Sequence, residues 1–196
     1  DDEVIYNLPL FDVIKSNHQI RLNQRVSAVT PGADSGWAVK SVGAEPESFD
    51  AVVMTTPTPV TAGLVAPFTP GAVAPLKSIP YADATVVALG YPEQALSRPL
   101  DGFGFLVPSS EKRDVLGVLW SSTLFPNRAP EGHVLLRTIV GGVRRPDLAG
   151  LNEDDLIHVV TSELSAIFQC DLMTPSFQRV VRWPGGIPQY NMGHNR

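Results

Sequence analysis

Apolar and polar residues alternate along the early part of the chain, from residue 20 to residue 29. A break that contains proline and glycine, residues 31–36, separates this stretch from a second one at residues 37–42. Alternation with a period of two is typical of strands with one buried face, so the two stretches predict a β-hairpin. The next run, residues 51–54, is continuously apolar and predicts a third strand that is buried on both faces.

The middle of the chain changes from helical to strand-like spacing. Residues 58–65 and 69–77 carry apolar side chains at helical intervals between prolines, which predicts two short helices. Four strand-like runs follow, separated by clusters of Pro, Gly and Ser. They leave little room for crossover helices and therefore predict an antiparallel sheet. The four runs are residues 84–91, 103–107, 115–120 and 134–140.

The last third of the chain carries the clearest helix signal. Asn152 is a good N-cap residue, and three acidic residues follow it in the first turn. Apolar residues recur at helical spacing from Leu156 to Phe168, and residues 178–183 then read as a last strand. The expected fold class is α+β, with a mixed, mainly antiparallel sheet and a few helices.

Composition narrows the classes of function. With 196 residues, 43% hydrophobic and 18% charged, the chain can bury a substantial core, and a net charge of −5 argues against nucleic acid as a partner. A single cysteine, Cys170, excludes an internal disulfide and reads as an inert thiol. No apolar run is long enough to span a bilayer. These features favour the cytoplasm and leave a peripheral contact with a membrane open.

Motifs for hydrolytic or metal chemistry are missing from the sequence. Neither a GxSxG turn nor an HExxH helix occurs, and we predict no catalytic side chain and no metal site. Residues 102–107 lack the third glycine of a dinucleotide loop and lead into a strand. Their two phenylalanines on a glycine-rich turn suit a flat apolar ligand instead. The four histidines show no ligand spacing: His18, His133, His158 and His194.

Three runs of sequence are far more specific than the patterns above. They are GFGFLVP at residues 102–108, LWSSTLFPNRAP at 119–130, and IPQY with a following Gly-His at 187–194. With weaker strings around residues 25–29 and 51–57, they resemble the protoporphyrinogen oxidases and their bacterial relatives that oxidise coproporphyrinogen. The resemblance extends over about residues 17–194, nearly the whole chain.

The resemblance implies a two-lobed FAD enzyme of haem biosynthesis. Such an enzyme oxidises a porphyrinogen, protoporphyrinogen IX or coproporphyrinogen III, to the porphyrin by removing six electrons, commonly passed to molecular oxygen. By this likeness, residues 1–60 are a remnant of the FAD lobe, residues 61–184 form the substrate-binding domain, and residues 185–196 return to the FAD lobe.

Site residues follow from the resemblance position by position. Four apolar residues match positions that line the macrocycle pocket. Five others match positions along the FAD cofactor: Val26 at its adenine end, the loop of residues 55–57 beside it, and Trp183 near the flavin ring. The pocket positions are Phe103, Leu106, Leu119 and Ile139. The flavin positions are Val26, Thr55, Thr56, Pro57 and Trp183.

The chain also departs from the family pattern. It lacks the N-terminal glycine-rich turn, the acidic ribose-binding residue, the substrate-carboxylate arginine and the C-terminal flavin-contacting segment. We therefore expect the chain to be the central part of a longer enzyme, inactive alone and unable to retain FAD. Another flavin amine oxidase relative, such as an amine oxidase or carotenoid desaturase, and a non-catalytic tetrapyrrole- or protein-binding domain are the alternatives. Substrate preference, electron acceptor and oligomeric state stay open.

Overall fold

A computed structural model of the protein describes residues 20–32 and 35–193. The chain divides into two compact units, Asp1–Ile79 and Pro80–Arg196. The expected division at residues 60 and 184 refers to the lobes of a complete flavoenzyme and stays a prediction. Within the described ranges, no helix combines the length and the apolar content needed to cross a membrane.

In its described residues, the first unit contains a small antiparallel sheet and two short helices. Its strands lie in the order β1-β2-β3, so the predicted hairpin is confirmed, although the first strand begins only at residue 26. The two predicted helices are confirmed, the second preceded by a 3-10 turn. The elements are β1 (Val26–Pro31), β2 (Trp37–Ser41), β3 (Glu47–Phe49), α1 (Thr58–Val65) and α2 (Val73–Ser78).

The predicted third strand at residues 51–54 is wrong. Those residues belong to no strand, and Val53 is 86% exposed. A strand that is apolar on both faces needs neighbouring strands and covering layers, and no described strand pairs with this run. The third strand is instead β3, an exposed segment whose polar residues gave no alternation signal.

The second unit is built on a five-stranded sheet in the order β5-β6-β7-β4-β8, in which every neighbouring pair is antiparallel. All four strand-like runs and the final strand are confirmed. The elements are β4 (Tyr81–Pro92), β5 (Gly104–Leu106), β6 (Val115–Trp120), α3 (Ser121–Leu124), β7 (His133–Gly141), α4 (Glu153–Phe168) and β8 (Phe177–Pro188).

Helix α4 and one face of this sheet form the main core. Asn152 caps the helix as predicted, since its Oδ1 accepts a hydrogen bond of 2.9 Å from the Asp155 amide. The buried helix residues Leu156, Val160 and Leu164 belong to the same apolar cluster as alternate residues of the sheet strands. One face of the sheet is therefore committed to the core. The opposite face, here called the open face, remains for other contacts.

Tyr91 anchors β4 within this core. Its side chain is 1% exposed, and its hydroxyl donates a 2.9 Å hydrogen bond to the Leu172 carbonyl. Burial, with a smaller contribution from Cys170, raises the pKa of the Tyr91 phenol above its ordinary value.

Replacing Tyr91 by phenylalanine is expected to lower the free energy of unfolding at pH 7 by about 1–2 kcal/mol, because the Leu172 carbonyl loses its donor. Because the folded-state pKa is raised, the phenol stabilises the fold below the unfolded-state value of about 10, and this contribution is lost as pH rises above it. Urea titrations at neutral and alkaline pH measure both effects. Equal alkaline sensitivity of Tyr91→Phe and the parent would contradict this role.

Candidate functional site

The open face carries a row of apolar residues across the sheet. Leu106 on β5 lies opposite Gly117 on β6, and Gly117 lies opposite Ile139 on β7. The row continues through Val86 on β4 to Val181 on β8. Paired residues in an antiparallel sheet point to the same face, so this row forms a continuous apolar band opposite α4.

Gly117 lets the two strands at this edge approach each other closely. A Cβ at position 117 would lie 2.7 Å from the Phe105 carbonyl oxygen and 2.9 Å from Leu106 Cδ2. The Leu106 side chain therefore leans over Gly117, yet it is 82% exposed. Because Leu106 adjoins the apolar band, it is part of a contiguous apolar patch, and such patches are typical of binding surfaces.

Leu119 lies on the same face, one cross-strand row away. It is paired with Gly104 on β5 and with Arg137 on β7. Since residues two apart on a strand share a face, Leu119 is next to the Gly117 row and Arg137 is next to Ile139. Three of the four expected pocket residues, Leu106, Leu119 and Ile139, are thus brought together on the open face.

Phe103 is not placed on that face by the register. It precedes β5, and Gly104 has a φ of +130°, which breaks the regular alternation of side chains. Phe103 is 75% exposed, whereas Phe105 packs edge-on against Phe168 of α4 at a ring-centroid distance of 6.2 Å. Of the two phenylalanines on the glycine-rich turn, Phe103 is therefore exposed to a ligand, whereas Phe105 is half-buried against α4.

Trp183 shares the open face but lies at its other edge. It pairs with Ala84 on β4 and is 56% exposed. Four strand spacings separate β8 from β5, or about 19 Å. The chain turns tightly after Trp183, because a Cβ added at Gly186 would lie only 2.7 Å from Trp183 Cβ. Among the described residues, neither the Trp37–Phe68 ring pair nor the Phe105–Phe168 ring pair includes Trp183.

The remaining expected flavin positions lie in the first unit. Val26 opens β1 and is 36% exposed. Thr55, Thr56 and Pro57 are exposed and lead into α1, which contacts β1. The Thr56 and Thr61 hydroxyls are hydrogen-bonded to each other at 2.8 Å. The loop before α1 thus has a defined geometry.

These residues do not fit the whole of FAD. A pyrophosphate is normally held by a glycine-rich turn between a strand and the start of a helix. The segment that leads into α1 here reads Thr-Thr-Pro-Thr-Pro and contains no glycine. The described residues of the first unit can therefore contact a cofactor edge, but they do not form a pyrophosphate site.

In the described ranges, side chains that could bind a metal ion are scattered. Within these ranges, no group of three or more His, Cys, Asp or Glu side chains is close enough together to hold a metal ion. His158 is exposed on α4, and His133 Nδ1 lies 3.2 Å from the Glu131 carbonyl oxygen. His18 and His194 fall outside the described residues.

A wide surface cleft of about 790 Å³ lies between the loops at residues 93–100 and 122–134, and Arg128 also lines a smaller neighbouring cavity. Its charged lining is mixed, with Glu93 and Glu131 beside Arg98 and Arg128. None of the expected pocket or flavin residues lines it. The resemblance therefore points to the open face and not to this cleft.

Sequence reasoning missed two residues of the open face, Gly117 and Arg137. Both were inside correctly predicted strands, and Arg137 is two residues from Ile139. The alternation rule alone places Arg137 on the same face as Ile139, so the signal was present. The position of Gly117 opposite Leu106 required the register, which the sequence does not specify.

Comparisons with known proteins match this chain to one family. The model for flavin containing amine oxidoreductases matches residues 12–196. The chloroplastic protoporphyrinogen oxidase of Nicotiana tabacum is 30% identical over 90% of this chain and 34% of its own length. The coproporphyrinogen III oxidase of Bacillus subtilis (strain 168) is 27% identical over 100% of this chain and 39% of its own length.

A solved structure from Exiguobacterium sp. 255-15, provisionally named a protoporphyrinogen oxidase, shares the fold. It superposes with a TM-score of 0.68 at 24% identity and covers 94% of this chain and 40% of its own. The α+β fold class is thereby confirmed. The chain spans between a third and two fifths of the length of the curated relatives described above.

Proposed function

Because the chain belongs to the family of flavin-containing amine oxidoreductases, we propose that it supplies the substrate-facing wall of a porphyrinogen oxidase. The observation that carries the proposal is the open face, where Leu106, Leu119 and Ile139 surround Gly117. A large, flat and mostly apolar macrocycle binds where predominantly apolar side chains cover most of its surface, and the open face can supply one wall of such a site. The names of the tobacco and Bacillus relatives support a porphyrinogen as the ligand.

The proposed reaction converts a porphyrinogen to a porphyrin in haem biosynthesis. Six electrons leave the macrocycle in three two-electron steps, and three molecules of oxygen accept them to give three of hydrogen peroxide. FAD, when bound by the complete enzyme, supplies the two-electron chemistry. The residues of this chain bind and orient the macrocycle and exclude water from the face that they cover.

The test is an oxidation assay on the enzyme that carries this chain, with coproporphyrinogen III, protoporphyrinogen IX and a set of primary amines as substrates. Porphyrin fluorescence and peroxide are recorded together. We expect porphyrin to form faster than by autoxidation, with no peroxide from the amines. Peroxide from an amine without any porphyrin would assign the protein to the amine oxidases instead.

The 196-residue chain is expected to retain no stoichiometric FAD. The loop before α1 lacks the glycine-rich turn that holds a pyrophosphate, so affinity for the dinucleotide should be low. The absorbance spectrum of the purified chain, after incubation with excess FAD and desalting, measures this directly. One equivalent of bound flavin would show that another part of the chain holds the cofactor.

We place the complete protein in the cytoplasm, with a porphyrinogen as its small-molecule partner and no nucleic acid. The net charge of −5 argues against nucleic acid, and the single cysteine is typical of a reducing compartment such as the cytoplasm. A peripheral contact with a membrane is compatible with both observations. Fractionation of cells that express the natural protein, with detection in soluble and membrane fractions, tests the placement.

A further inference from the structure

A small cavity of about 60 Å³ opens beside the apolar band of the open face. Arg137 and Leu135 line it from β7, and Arg137 is the cross-strand partner of Leu119. The other lining residues come from α3 and the loop that follows it: Ser121, Phe125 and Arg128. The cavity thus adjoins the surface that we assign to the macrocycle.

The cavity is positively charged. Arg128 and Arg137 both line it, and no lining residue is acidic. The ion pairs found in the described part of the chain involve neither arginine. Arg128 is held in place by Phe125, since its guanidinium carbon lies 5.8 Å from the centre of that ring. Two arginines without carboxylate partners are suited to an external anion.

A buried hydroxyl lines the same cavity. Ser121 is 3% exposed, and its Oγ has no hydrogen-bond partner within the described ranges. Buried hydroxyls are normally paired, because an unpaired one costs about 1–3 kcal/mol. Next to it, Ser122 Oγ accepts a 3.1 Å hydrogen bond from the Leu135 amide and fixes α3 to β7. The Ser121 hydroxyl is therefore a donor held in position without a described acceptor.

We propose that this cavity binds one carboxylate of the porphyrinogen, with Arg128, Arg137 and Ser121 Oγ as its donors. The inference rests on the proposed function, because the carboxylate is that of the macrocycle on the open face. A volume of about 60 Å³ exceeds the roughly 10–15 Å³ that one water molecule needs, so the cavity has room for a small group such as a carboxylate. The acidic side chains of a porphyrinogen project from the rim of its ring, and the cavity lies at the rim of the apolar band.

One of the sequence runs that resemble the family supplies three of the five residues that line this cavity. Ser121, Phe125 and Arg128 all lie within the LWSSTLFPNRAP run at residues 119–130. Leu119 at its start faces the macrocycle, and the loop at its end returns Arg128 to the same place. The run therefore couples an apolar contact to a charged one through a single strand, turn and loop.

The experiment measures binding of coproporphyrin III and of its tetramethyl ester to the 196-residue chain by fluorescence titration. The variants are Arg137→Gln, Arg128→Gln and Ser121→Ala. The control is Arg179→Gln, an exposed arginine in the same cross-strand row that does not line the cavity. Thermal denaturation of each variant verifies folding.

Both arginine variants in the cavity are expected to weaken coproporphyrin binding by about tenfold or more, because each loses a charge-assisted hydrogen bond. Ser121→Ala should weaken it less, and none of the three should change binding of the ester. Equal losses in Arg137→Gln and Arg179→Gln, or equal losses for acid and ester, would overturn the carboxylate site and leave the porphyrin wall standing. A parent chain that binds neither porphyrin overturns the proposed function and the site together.

Discussion

Gly104→Ala is expected to lower the free energy of unfolding by roughly 3 kcal/mol, from a strained backbone and a steric overlap together. Gly104 has a φ of +130°, a conformation that residues with a side chain rarely adopt. A Cβ there would overlap the Val118 carbonyl oxygen on the paired strand. The variant must either separate β5 from β6 or distort both, and Leu106 would leave its place over Gly117.

Gly102→Ala is the matched control for that variant. It lies two residues earlier on the same turn, has no positive φ, and its added Cβ would be 3.4 Å from the Trp120 ring, an ordinary contact. Urea denaturation of both variants gives the free energies of unfolding. Similar values for the two would contradict the account of how β5 is held against β6.

Leu106→Ser is expected to weaken porphyrin binding by about tenfold, with little change in the stability of the free chain. Leu106 is 82% exposed, so its removal leaves no cavity in the core. When a macrocycle covers it, burial of its apolar surface contributes about 1.5 kcal/mol, which corresponds to that tenfold factor. Fluorescence titration of the chain with coproporphyrin III measures the dissociation constant.

Val143→Ser controls for the loss of an exposed aliphatic side chain. Val143 is 74% exposed, but it follows the end of β7 and does not belong to the open face. Its replacement should leave the dissociation constant unchanged within about twofold, since no apolar surface at the binding site is lost. If the two variants bind equally well, Leu106 does not contact the porphyrin.

The second unit was predictable because its signals are local and strong. Helix α4 has a capped start and a regular apolar stripe, and the strands of the five-stranded sheet are marked by alternation and bounded by Pro and Gly. Such patterns report which residues face the core, and the core is where most of the folding energy is gained.

The errors arose where structure depends on partners distant in sequence. The run at residues 51–54 has strand composition, but a strand forms only with a neighbour, and the described chain provides none. Segment β3 pairs through its backbone, which leaves no trace in its exposed side chains.

The candidate site was predictable in its apolar half. The likeness to porphyrinogen oxidases named Leu106, Leu119 and Ile139, and the register brings these three onto one face. The charged half was not predicted, because Arg128 reaches Arg137 only through the turn at α3, whose path the sequence does not specify.

The most direct test of the open face as the porphyrin-binding wall is amide hydrogen exchange of the chain with and without coproporphyrin III. The account predicts slower exchange in β5 and in residues 117–119 of β6, at the edge where Leu106 leans over Gly117, with no change in α4 on the opposite face. Protection confined to α4 or to the first unit, or no protection at saturating porphyrin, would contradict it.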